Sequence, residues 1–127
     1  MGKRVEYFLS VTAFVEAGVG LSLLFLPAFP ITLLLGLKQA ALEALLVGRL
    51  AGAALLAVGV ASWLARSDRQ SPVRLGLLTG ILIYNVAAAL ILAYAGLVLS
   101  MVGIALWPAV ILHSVLAVWC LTCLRAA

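Results

Sequence analysis

The stretch EALLVGRLAGAALLAVGVASWLAR, Glu43 to Arg66, decides how this chain is read. It is almost wholly apolar, yet it carries Arg49 well inside its ends. A membrane-spanning helix needs about 20 apolar residues, and the segment from about residue 40 to 65 supplies them. The rest of the chain is of the same kind. Of its 127 residues, 67% are hydrophobic and 9% charged, and the mean hydropathy is +1.32. A soluble domain is closer to half apolar and a quarter charged. A chain this short cannot hide the difference in its own core, so the remainder must face lipid. The chain reads as an all-α integral membrane protein.

Working outward toward the N-terminus, residues 5–26 form a second apolar segment, closed by Pro27 and Pro30. Its start, MGKRVEYFLSVTAFVEAG, has the basic opening and apolar run of a signal peptide. Glu16 interrupts that run and no small-residue cleavage site precedes Pro27, so it reads as a retained first span. Between the two segments, PITLLLGLK (residues 30–38) is apolar but far too short to cross, and reads as an interfacial or re-entrant piece. Toward the C-terminus, no formal charge occurs from Leu75 to Leu124. A helix of that length would run about 75 Å against a hydrocarbon core of about 30 Å, so it must turn back. The turn falls in AGLVLSMVG (residues 95–103), and Trp107-Pro108 opens the last helix. Four transmembrane helices result, at about 5–26, 40–65, 74–97 and 104–124, in one domain spanning 1–127.

Lys3, Arg4, Arg66, Arg69, Arg74 and Arg125 fall on one side of this arrangement and Lys38 on the other. Positive charge collects on the cytoplasmic side, which predicts both termini inside. The net charge of +4 comes from residues scattered singly at segment ends, with no basic stripe and no interleaved aromatics. Nucleic acid is therefore not a partner this sequence points to. The bilayer is.

An arginine at the bilayer centre costs roughly 2.5–3.5 kcal/mol on insertion scales, and such residues mark functional sites by default. Counting residues inward from alternating sides places Glu16, Arg49, Asn85 and His113 at one level, one from each helix. Glu16 and Arg49 are expected to form a charge pair, with Asn85 and His113 orienting a ligand or proton and Tyr84 adding a hydroxyl. Small residues flank them, as in GRLAG (Gly48–Gly52) and GLLTG (Gly76–Gly80), which let helices approach closely. Such a set could bind or carry a small polar or lipidic ligand, an anionic or carbonyl-bearing molecule such as a carboxylate or a quinone head group, or relay protons. It should respond to pH between about 5 and 8 through His113. The alternative is an accessory subunit in which a buried Glu-Arg network fixes packing alone.

Cys120 and Cys123 have C-x-x-C spacing, a weak candidate for metal or redox chemistry. A zinc site wants four ligands, and this pair has neither a second C-x-x-C nor a βαβ setting, so it reads as small core residues. No P-loop, H-E-x-x-H or nucleophile–base–acid set appears, and nothing indicates an enzyme.

The segments EAGVGLSLLFLPAFPITLLLG, GRLAGAALLAVGVASWLAR, YNVAAALILAYAG and WPAVILHSVLAVW together resemble a family of uncharacterised small bacterial four-helix membrane proteins. Through the Pro-rich end of the first helix, LLLGL at Leu33–Leu37 and the glycine-rich second helix, the chain is more distantly similar to the DoxX-like superfamily. The resemblance implies a bacterial inner membrane location. It also implies a further alternative, a subunit of a quinone-linked oxidoreductase, with quinone or lipid as the cofactor to expect. It assigns no roles to Glu16, Arg49, Asn85 or His113. A carboxylate in the first of four helices is also similar to small multidrug exporters, but the second-helix arginine and the asymmetric charges depart from them. Self-association, or a partner membrane subunit, is expected in either case.

Overall fold

The computed structural model describes residues 2–68 and 71–125; Arg69, which contributes to the charge bias, lies outside them. Five helices follow one another: α1 (Gly2–Phe25), α2 (Ala28–Leu35), α3 (Leu42–Ala65), α4 (Pro72–Leu97) and α5 (Leu106–Arg125). Four of them, all but α2, are long and apolar enough to cross a membrane. The protein is an all-α membrane bundle, and each long helix lies within a few residues of its expected bounds.

Pro27 explains the first break. It has no N–H to continue α1, so the chain turns and restarts as α2. The short helix ends at Gly36, whose φ of +70° suits glycine and whose N–H caps the Thr32 carbonyl. α2 is then clamped by the turn between α4 and α5. Ala105 donates its N–H to the Leu33 carbonyl at 3.0 Å. A Cβ on Gly103 would stand 2.1 Å from the Leu34 carbonyl oxygen, so no larger residue fits there. The α3–α4 connection is held by Ser71, which accepts from the Arg74 N–H at 3.1 Å and is followed by Pro72 in the first turn of α4.

The chain forms two hairpins. α3 runs back along α1, α5 runs back along α4, and α3 and α4 meet little. The α1–α3 seam is backbone against backbone. Cβ atoms built on Gly20 and Gly52 would lie 2.7–2.8 Å from main-chain atoms of the facing helix, and one on Gly59 would lie 2.9 Å from the Ala17 nitrogen. This close approach is how helices gain dispersion contact in lipid. The pairing is staggered: Gly52 faces Gly20–Leu24 and Gly59 faces Ala13–Ala17. α3 consequently overshoots the end of α1 by about two turns, roughly 12 Å, and α2 packs in the step, with Ile31 against Gly48.

The core joining the hairpins lies toward the end that holds the termini. Val5, Phe8 and Leu9 of α1 meet Leu78 and Ile81 of α4 and Leu116, Cys120 and Cys123 of α5. Phe8 meets Trp119 edge to face at 5.5 Å. The cysteines are free and buried, and the Cys120 thiol donates to the Leu78 carbonyl at 3.2 Å. They pack as small core residues.

Gly52→Val is expected to lower stability in detergent by about 3 kcal/mol or more, because the facing main chain cannot yield. Gly80→Ala, where an added Cβ meets nothing within 4 Å, is expected to unfold at the wild-type temperature. Thermal unfolding followed by helical circular dichroism separates the two.

Candidate functional site

The side chains that converge in the interior come from three helices. On α1 the buried face runs Val5, Phe8, Leu9, Thr12, Ala13, Glu16, Gly20; on α4 it runs Leu78, Ile81, Asn85. These are the three- and four-residue spacings of one helix face. They bring Glu16 near Tyr84. Tyr84 meets His113 of α5 edge to face, with centroids 5.4 Å apart and planes at 89°. His113 Nδ1 lies 2.9 Å from Asn85 Oδ1.

Hydrogen-bond logic orients this chain of groups. Asn85 Nδ2 donates to the Ile81 carbonyl at 2.9 Å, and a carbonyl only accepts, which fixes the amide. The Asn85 oxygen therefore faces the imidazole, and His113 Nδ1 carries the hydrogen between them. In the neutral ring the lone pair is on Nε2. His113 is half-buried and Asn85 fully buried.

Arg49 is not part of this centre. Its guanidinium donates through one nitrogen to the Leu24 carbonyl at 3.0 Å, and the residue is exposed. The expected pair with Glu16 does not form: Glu16 is 2% exposed and its Oε1 has no hydrogen-bond partner among the described residues. The reason is the stagger. Counting inward from helix ends treats α1 and α3 as flush, whereas the glycine seam sets Gly59 rather than Arg49 opposite the Glu16 region. Arg49 stands beside the end of α1, about ten residues or 15 Å further along the axis. It has a different task there. Pro27 breaks the helical ladder, so the last carbonyls of α1 lose their partners, and Arg49 supplies one for Leu24.

Two further polar groups escape notice in the sequence. Ser10, Thr79 and Ser114 each turn the hydroxyl back to the carbonyl four residues earlier, at 2.8–2.9 Å. That is the ordinary way to satisfy a hydroxyl in an apolar helix. Thr12 and Ser62 are fully buried and have no hydrogen-bond partner among the described residues. Thr12 is one turn from Glu16 on the same face. Ser62 sits one turn beyond Gly59 on the α3 seam, level with Thr12. The spacing Thr12–Glu16 and Gly59–Ser62 is legible once the seam is known.

The centre is rich in acceptors and poor in cations. Glu16 Oε1 and His113 Nε2 carry lone pairs without a protein donor among the described residues, with the hydroxyls of Thr12 and Ser62 near the same row. An unpaired carboxylate in the membrane interior costs several kcal/mol, so charge balance calls for a proton on Glu16 or a cationic or donor group against it. No group of three or more His, Cys, Asp or Glu residues that could hold a metal occurs among the described residues.

Against protein-family models, curated proteins and solved structures alike, this chain finds no match. No likeness to the DoxX-like superfamily is shown by these comparisons.

Asn85→Leu removes the acceptor that fixes the histidine tautomer. We expect it to lower stability by about 0.6–2 kcal/mol, and to convert the His113 ring from one tautomer to a mixture by nitrogen-15 NMR. An unchanged ring spectrum would disprove the orientation given above.

Proposed function

We propose that the protein is a binding protein or carrier in which Glu16, Tyr84, Asn85 and His113 form a midplane site for a small polar ligand, taken up with or against a proton. The observation that carries this reading is the buried Glu16 carboxyl whose Oε1 has no partner among the described residues. Polar groups are retained at such depth where they do chemistry more often than where they do not. Without Arg49 in the centre, the ligand class moves from anions toward donors: a proton, an amine or a hydroxyl-bearing molecule. A quinone, whose carbonyl oxygens accept, finds the Tyr84 hydroxyl but not the Asn85-bound Nδ1–H of His113. Following the positive charges, both termini lie in the cytoplasm, and the bacterial inner membrane is the location that the resemblance to small bacterial membrane proteins implies.

A second reading is supported by Asn85. Both of its polar groups are used inside the protein, by Ile81 and His113, as in a network that fixes helix register for an accessory subunit.

Native mass spectrometry of protein released directly from its membranes decides between them. The carrier reading expects a small-molecule adduct on the wild type that is lost from a folded Glu16→Gln and kept by Arg49→Met. In the same samples, a protonated-carboxyl infrared band that shifts in heavy water should disappear with Glu16→Gln. A bare wild-type mass, with no Glu16-dependent carboxyl band, overturns this reading in favour of the packing network.

A further inference from the structure

The feature left over from the interior site is Arg49. Its guanidinium has five N–H donors, and among the described residues it makes one hydrogen bond, to the Leu24 carbonyl. The residue is exposed, and what surrounds it is apolar surface rather than a polar rim. Phe25, Leu26, Phe29, Leu46 and Leu50 are all more than 60% exposed around the junction of α1, α2 and α3. In a protein whose long helices cross a membrane, that surface faces lipid, and so do the remaining donors of Arg49.

Depth decides what they meet. With the staggered α1–α3 pair centred in a hydrocarbon core about 30 Å thick, the Arg49 Cα stands about 13 Å from the midplane. Side chains on a helix lean toward its N-terminus, which for α3 is the direction of the nearer membrane surface. Arginine extends far enough to bring its head group to the interface while its stem stays among apolar atoms. The acceptors at that level are lipid phosphate and glycerol oxygens. A planar fork of donors matches phosphate geometry better than any other side chain does.

We propose that Arg49 is the seat of a bound phospholipid: the guanidinium ties the Leu24 carbonyl with one nitrogen and takes the headgroup phosphate of a lipid lying in the α1–α2–α3 corner with the others. This is independent of the interior site, since Arg49 has no part in it. Lys38, the other cation at this end of the molecule, lies on the connection after α2 and serves as a control.

The test is a titration of delipidated protein with phosphatidylglycerol, read as the first bound lipid by native mass spectrometry. Arg49→Gln is expected to weaken that first binding roughly fivefold, as loss of one interfacial cation implies, while Lys38→Gln binds as the wild type does. Millimolar inorganic phosphate is expected to leave the lipid in place. Equal binding by wild type and Arg49→Gln overturns the proposal, and so does displacement by phosphate, which would mark a site for free phosphate instead. If Arg49→Gln does not fold, Arg49→Lys keeps a cation and one donor for Leu24 but lacks the fork. Binding by Arg49→Lys as tight as wild type then overturns the proposal, and weaker binding by a folded Arg49→Lys supports it.

Discussion

Main chain lies against main chain where Gly20 meets Gly52 and Leu56, and much of the molecule follows from that contact. With no side chain between them, the two helices can lock in one register alone. The register is offset, so α1 and α3 are not flush. The offset opens a step at one end, and α2 fills it. It also carries Arg49 to the end of α1, away from Glu16. One packing choice therefore settles where the charges lie, which in a low-dielectric environment settles what the interior can do.

The interior that results is unusual in its balance. Asn85 and His113 complete each other through a hydrogen bond whose polarity is fixed by the Ile81 carbonyl. Glu16, Thr12 and Ser62 are buried with polar atoms left over. A satisfied half borders an unsatisfied half, and Tyr84 lies between them, edge to face on His113 and near Glu16. In a uniform packing network every member would be satisfied, and the unsatisfied half is what the proposed binding function rests on.

Much of the fold was legible from residue types. Hydrophobic length gave the four long helices, and Pro27, Pro30 and the Ser71-Pro72 pair marked where the chain must stop and restart. The short apolar run after Pro30 was correctly too short to cross. In the site, Glu16, Asn85 and His113 were recognisable because each is a costly residue at mid-depth of its own helix. The partner of Arg49 was not recognisable. Depth counted along one helix says nothing of how two helices slide past each other, and that sliding is set by glycines whose partners lie in another segment. Thr12 and Ser62 were invisible for a related reason: a hydroxyl in a helix normally closes on its own backbone, and only three-dimensional placement shows that these two do not.

The clamp on α2 bears on how the molecule is made. The Leu33 carbonyl receives its hydrogen bond from Ala105, and the Leu34 oxygen is sheltered by Gly103. The donor and the shelter both belong to the last turn of the chain to leave the ribosome before the final helix. Until residues 103–105 have been made, the Leu33 carbonyl lacks this donor, although the residues of α1, α2 and α3 are already present. The first hairpin is thus finished by the second. A truncated chain ending before residue 103 would leave the Leu33 carbonyl without its Ala105 donor and α2 without its clamp.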